Sequence, residues 1–228
     1  MSRRTFAVIG LGRFGAAVAT TLTELGQEVI GIDASEEKVR ELADVIHHAI
    51  ELDATDERAL RAAGVGDVDV AVVSIGENIE ASLLVVMQVK ELGVQTIYAK
   101  GVTPLHGRIL TKLGVTRVIF PEREMAVRLA HSVVVPNVID YVELSRDFSI
   151  VELPAPAEWA GQTLRDLQLR ARYGLTLIAI RRPSGTSDGE ITSVAPPAEE
   201  MIRAGDILSV IGSNDRLAQL DRLVSRRK

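Results

Sequence analysis

Apolar residues recur along the chain in two rhythms that take turns. Phe6-Ala7-Val8-Ile9 is an unbroken apolar run with the character of a buried strand. Phe14, Val18, Leu22 and Leu25 then fall on one face at helical spacing. Gly26 closes that helix, and Glu28–Asp33 follows as a second strand. Ser35 stands at an N-cap position with Glu36 and Glu37 in the first turn, where the helix dipole favours acids. The alternation continues as strand 48–52, helix 56–63, strand 70–74, helix 78–92, strand 96–100, helix 105–113, strand 117–120 and a helix after Pro121. Strands alternating with helices predict α/β architecture, a Rossmann-type doubly wound parallel sheet.

The texture changes near Pro136-Asn137. Beyond it the pattern predicts strand 148–153, a short helix 163–169, strand 175–182, a Gly/Ser/Pro-rich turn at 183–189 and strand 191–194. Strand 207–212 and helix 215–223 complete it. The expected organisation is a nucleotide-binding domain over 1–136, a hinge over 137–144 and a smaller α+β domain over 145–228.

Composition narrows this picture in a few places. Aromatic residues make up only 4%, so the apolar mass is Val, Ile, Leu and Ala, as suits a sheet covered on both faces. A formal net charge of −5 gives no electrostatic case for nucleic acid. Cysteine is absent, which removes disulfides and thiolate metal sites. No apolar run approaches the roughly 18–20 residues of a membrane span, since the stretch 68–89 is interrupted by Glu77, Asn78 and Glu80. The N-terminus shows no signal-peptide pattern, so the expected location is the cytosol.

The chemistry concentrates in the first half. Gly10-Leu11-Gly12-Arg13-Phe14-Gly15 lies directly after a strand and opens a helix, the context a phosphate-binding glycine loop requires. The first glycine makes the turn, the second lets phosphates approach the backbone, and the third allows close helix–sheet packing. Asp33, closing the second strand, is the acid expected to accept from ribose hydroxyls. A carboxylate there disfavours a 2′-phosphate, which argues against NADP but leaves ATP, ADP, AMP and NAD open. Arg13 sits in the first turn of a helix, where the dipole disfavours a cation, so an anion should compensate it. That anion is the nucleotide's phosphates, in this subunit or a neighbour, unless the side chain is simply solvated.

Further candidates follow later strands. Ala34 and Lys38 accompany Asp33; Asp53-Ala54-Thr55 follows the third strand; Ser74, Ile75, Gly76 and Asn78 follow the fourth; and Lys100 ends the fifth. The carboxyl ends of strands are where open α/β sheets bind ligands. Thr55 and Asn78 could equally serve as helix caps. Glu122, after Pro121, is normal at a helix start and has a structural reading on its own. His47, His48, His106 and His131 show no metal-type spacing, and His47 and His48 read as surface residues. There is no Walker lysine motif and no nucleophile elbow, and the last 80 or so residues carry no evident acid/base constellation.

The run from Phe6 to Gly15, with Asp33, Asp53-Ala54-Thr55 and the stretch 75–82, resembles the RCK (regulator of potassium conductance) family in its single-copy KtrA/TrkA form. Residues 141–145 and 150–153, Arg170-Ala171-Arg172-Tyr173-Gly174 and Ala204-Gly205-Asp206 resemble parts of the family's C-lobe. The resemblance implies a non-enzymatic regulator whose N-lobe binds ATP or ADP, sometimes NAD(H), at the glycine loop. It implies an octameric ring docked on the cytosolic face of a membrane potassium-translocating subunit. It also implies that Arg13 meets the γ-phosphate of an adjacent subunit's nucleotide, and that Glu122 helps hold a divalent or monovalent cation there. A C-lobe that dimerises and takes a cyclic dinucleotide near Arg170 and Ala171 completes the set. The alternatives are an NAD(H)-binding redox sensor and a small NAD-dependent oxidoreductase.

Overall fold

Residues 5–9 alternate between two cores: Ala7 and Ile9 enter one, Val8 the other, and all three are essentially inaccessible to solvent. A strand with apolar side chains on both sides must be sandwiched, and the computed structural model of the chain has that arrangement. It describes residues 3–134, 139–183 and 190–225. The chain divides into two compact units, Met1–Glu122 and Arg123–Lys228. The expected domain boundary at 136 and the start of the expected hinge, 137 and 138, lie outside the described residues.

In the first unit the strands β1 (Thr5–Ile9), β2 (Glu28–Asp33), β3 (His48–Glu51), β4 (Val70–Val73), β5 (Thr96–Lys100) and β6 (Arg117–Ile119) form one sheet. Their order is β3-β2-β1-β4-β5-β6, and every pairing is parallel. Helices α1 (Arg13–Glu24) and α2 (Glu36–Leu42) pack over Val8, Val29 and Val72 on one face. Helices α3 (Glu57–Ala62), α4 (Ile79–Glu91) and α5 (Pro104–Leu113) cover Ala7, Ile9, Ala71 and Ile97 on the other. This is the doubly wound Rossmann-type sheet, and its strand order reverses between β1 and β4. The crevice at such a reversal, outside the carboxyl ends of the strands, is where open α/β sheets take ligands. A short 3-10 turn, Val65–Asp67, was not foreseen; it precedes β4.

Helix α6 (Pro121–Val134) crosses the division between the units. The second unit contains β7 (Asp140–Glu143), β8 (Phe148–Pro154), α7 (Leu164–Leu167), α8 (Leu169–Tyr173), β9 (Thr176–Pro183), β10 (Glu190–Val194), β11 (Ile207–Ser213) and α9 (Asn214–Ser225). Its strands form an antiparallel sheet of order β10-β9-β11-β8-β7 over a core that includes Trp159, Leu167, Ile180, Ile202 and Leu208. Two details differ from the sequence pattern. The helix expected over 163–169 is two short helices separated by Gln168, whose φ of 46° breaks the α-helical path. Edge strand β7 was unforeseen, since Asp140-Tyr141-Val142-Glu143 offers a single inward apolar ring, Tyr141, packed on the core. Most of the expected turn, 184–189, lies outside the described residues.

The second unit is pinned by a buried charge. Asp206 is 1% exposed and receives Arg182 Nε at 2.8 Å, Arg182 Nη2 at 2.9 Å and the Arg203 N–H at 2.9 Å. Burial works against its ionised form, but the guanidinium and the backbone N–H outweigh burial and hold the carboxyl below its ordinary range. A depressed folded-state value means that the stabilisation is present above the unfolded value and is lost as the pH falls through the folded one. The unfolding transition of this unit should therefore weaken as the pH falls through and below the ordinary carboxylate range. Asp206→Asn should flatten that dependence in pH-resolved melts; an equally steep profile in the variant would assign the effect elsewhere.

Candidate functional site

Two of the three loop glycines are demanded by the chain's own packing. Gly10 has φ +95°, donates its N–H to Ile32 O at 2.7 Å, and a Cβ on it would approach the Ser74 carbonyl carbon at 3.0 Å. A Cβ on Gly15 would stand 1.9 Å from Gly10 O, so α1 could not lie against the loop. Gly12 is different. Its φ of −66° suits any residue, and a Cβ there would meet nothing within 4 Å. The space above Gly12 is open, and it faces the N-terminus of α1.

That terminus has neither a side-chain cap nor an acid of its own. Gly12 is its N-cap and offers no side-chain acceptor, and the first turn holds no acid but does hold Arg13. By contrast, α2, α3 and α4 carry Glu36 and Glu37, Glu57, and Glu80 in their first turns. Free N–H groups and the positive end of the dipole make such a terminus a seat for phosphate. Arg13 is exposed and its side chain forms no hydrogen bond to any described residue; Phe14 is half-buried.

Asp33, at the end of β2, has partners within the chain that the sequence did not foretell. Its Oδ2 accepts the Leu11 N–H at 2.7 Å and its Oδ1 accepts the Ser35 N–H at 2.9 Å. Lys38 Nζ lies 3.4 and 3.5 Å from the two oxygens. The carboxylate thus ties the glycine loop to β2 and the start of α2. Ser35 stands at the N-cap as expected, but its side chain makes no capping bond. Ala34 is exposed between them.

The loop after β3 is built as an Asx turn. Asp53 Oδ1 accepts the Thr55 hydroxyl at 2.7 Å and the Thr55 N–H at 2.9 Å, and these bonds hold its carboxyl below the ordinary range. Ala54 is buried in the core, and Thr55 does not cap α3; Asp56 does, accepting from the Arg58 and Ala59 N–H groups. After β4, the Ser74 N–H donates to Ile9 O at 2.7 Å, Ile75 is half-buried against the core, and Asn78 caps α4 through the Ala81 N–H at 3.0 Å. Gly76 lies under the Lys100 side chain, whose Nζ would be 3.5 Å from a Cβ placed there.

Lys100 ends β5 with its side chain only 16% exposed and pairs with Glu122 Oε1 at 2.6 Å. That hydrogen bond first, then Glu122's own N–H and the charges of Lys100 and Arg13, hold the Glu122 carboxyl below its ordinary range. Arg13, Lys100 and Glu122 therefore share one electrostatic environment with a net positive balance. Among the described residues no three His, Asp or Glu side chains cluster as metal ligands. A cation at Glu122 would draw a single carboxylate from this chain and the rest of its shell from elsewhere.

Nucleotide-site candidates from Gly10 to Lys100 thus all sit at or just beyond the carboxyl ends of β1 to β5. Arg170 and Ala171 belong to the second unit, exposed on α8. Sequence reasoning passed over Gln88, a buried amide on α4 whose Nε2 donates to Thr55 O at 2.8 Å. Its isolation in the run Val85-Val86-Met87-Gln88-Val89 was the available signal. His106, read from the sequence only as lacking metal-type spacing, is 1% exposed; its Nδ1 accepts from the Val102 N–H, and burial pushes it towards the neutral form. His47 and His48 are exposed, as expected. No described helix is long and apolar enough to cross a membrane.

Comparison with known proteins bears on what this arrangement serves. A TrkA-N domain matches residues 6–121 and a TrkA-C domain residues 148–225. Ktr system potassium uptake protein C of Bacillus subtilis strain 168 is 44% identical over 226 residues, spanning 99% of this chain and 100% of that relative. Ktr system potassium uptake protein A of the same organism is 38% identical over 212 residues, 93% of each chain. Among solved structures, a GsuK channel bound to NAD superposes with a TM-score of 0.65 at 18% identity, over 99% of this chain and 40% of that one. At that identity the likeness concerns the fold.

Proposed function

The chain belongs to the KtrA/TrkA-type family of potassium-uptake proteins built from a TrkA-N and a TrkA-C domain, and on that premise we propose that it is a regulatory subunit that senses adenine nucleotides. The observation that carries the nucleotide is the open space above Gly12 at an uncapped, acid-free helix terminus. Phosphates seat there against the N–H groups of α1, and Asp33 takes the ribose diol. The protein performs no chemistry of its own. It assembles as a ring, octameric in the form proposed for its family, on the inner face of a membrane potassium-translocating subunit, and different nucleotides hold different ring shapes. A ligand shifts such an equilibrium only by its differential affinity for the two states. ATP differs from ADP by its γ-phosphate, and the groups placed to read it are Arg13, reaching into an adjacent subunit, and Lys100 with Glu122. A cation beside the γ-phosphate would take Glu122 as ligand once Lys100 turns to the phosphate. In the second unit, Arg170 and Ala171 are the proposed contact for a cyclic dinucleotide.

Gly12→Ala tests the phosphate seat without disturbing the fold. The added methyl meets no protein atom, and alanine's cost at an N-cap is offset by a less flexible unfolded chain, so the melting temperature should move by only about 1–2 °C. ATP and ADP affinity measured by calorimetry should fall at least about tenfold, because the methyl fills the space through which phosphates reach the backbone. Unchanged affinity would place the phosphates elsewhere. NAD is the second reading, favoured by the NAD bound to the GsuK channel of the same fold and by an Asp33 that suits any free ribose diol. A thermal-shift panel of ATP, ADP, NAD and NADH separates the two, since a ligand that binds the native state raises its melting point in line with its affinity.

A further inference from the structure

Helix α4 buries two polar side chains among apolar neighbours, Ser82 and Gln88; of the two, Gln88 reaches across to another loop. Gln88 is 8% exposed, while Val85, Val86 and Val89 around it are fully buried. Its Nε2 donates to Thr55 O at 2.8 Å, but its Oε1 is buried without a hydrogen-bond partner among the described residues. An apolar residue of equal length would fill the same volume and remove the unpaired Oε1 at the cost of the Thr55 carbonyl's donor, so the gain and the loss in stability roughly offset and stability alone does not single out glutamine here. Departures of this kind from the local rule concentrate where function sets the residue. What Gln88 gains is one hydrogen bond, and that bond lands on the loop after β3.

The sheet order says which part of a ligand that loop would face. The phosphate seat lies at β1 and the ribose carboxylate, Asp33, at the end of β2; β3 is the next strand outward. A nucleotide running along this edge of the sheet brings its base towards residues 53–55. That loop is fixed by two local bonds from Asp53, by burial of Ala54, and by Gln88 reaching across from α4.

We propose that Gln88 is a positioning residue for the base: its side-chain amide holds the Thr55 carbonyl, and with it the 53–55 loop, in the shape that receives adenine. The same bond joins that loop to α4, which already borders the site through its N-cap Asn78. This rests on the nucleotide reading above.

The test compares wild-type protein with Gln88→Met, a shape-conserving change that removes the donor and the unpaired acceptor together. Binding is measured by calorimetry with ATP, with ADP and with inorganic tripolyphosphate, which has phosphates but no base. The variant is expected to melt close to the wild-type temperature, to bind ATP and ADP at least tenfold more weakly, and to bind tripolyphosphate within twofold of wild type. Hydrogen exchange in the free variant should quicken at the Thr55 and Asp56 amides, both now bonded to Asp53. Adenine nucleotide affinity within threefold of wild type overturns the proposal, as does an equal loss for tripolyphosphate, which would mean general loosening. Wild-type protein that takes no adenine nucleotide removes the nucleotide reading itself, an outcome visible before any variant is measured. Gln88→Leu repeats the comparison should the methionine variant fold poorly.

Discussion

Asp33→Ala should damage the protein twice, lowering the melting temperature of the first unit and nearly abolishing nucleotide binding. The carboxylate accepts from the Leu11 and Ser35 N–H groups, and Leu11 is only 3% exposed. Stranding a buried donor costs about 1–3 kcal/mol, so two lost partners should destabilise the unit by roughly 2–4 kcal/mol. For a unit of this size that corresponds to a fall of about 8–15 °C. Nucleotide affinity should drop by about two orders of magnitude, because the ribose loses its acceptor and the glycine loop loses its tie to β2. Asp33→Asn separates the two losses. Its single oxygen can serve one N–H but not both, so it should recover part of the stability while binding stays weak. A full thermal loss with unchanged ATP and ADP affinity would make Asp33 a loop clamp and nothing more.

The same residue illustrates what a sequence can reveal about this chain. The expectation that Asp33 accepts from a ribose comes from its distance from the glycine loop, which strand and helix lengths set. Its bond to the Leu11 N–H was not legible, since nothing local says which backbone donors a loop leaves unpaired. Periodicity marked all six parallel strands because each of them is buried on both faces or abuts one that is. It failed at β7, an edge strand with one ring turned inward, and at Gln168, where a left-handed residue divides a helix without a glycine to announce it. Asp56 rather than Thr55 caps α3 because neighbouring polar residues compete for that position and only the turn geometry decides between them. Gln88 was overlooked for the opposite reason: it sits in an apolar stripe, and its partner is 33 residues away.

Arg13→Ala should leave the protein folded and able to bind ADP, yet blind to the difference between ATP and ADP. The side chain is exposed and forms no hydrogen bond to any described residue, so its removal leaves no buried group unpaired. Taking a cation from the first turn of α1 also relieves the helix dipole, so stability should hold or rise slightly. What remains is its use for a ligand. A guanidinium on a phosphate forms charge-assisted, often bidentate hydrogen bonds worth about 1.5–3 kcal/mol, or roughly 10- to 100-fold in affinity. If Arg13 meets the γ-phosphate held by an adjacent subunit, that factor belongs to ATP alone. In vesicles containing the membrane subunit, ATP-stimulated potassium flux should then fall to the level seen with ADP, with ADP affinity within about threefold of wild type. Parallel loss of ATP and ADP binding would instead assign Arg13 to phosphates of its own subunit, where both nucleotides present them. Undiminished ATP stimulation would remove Arg13 from the switch and leave Lys100 and Glu122, whose ion pair ATP must then break by itself.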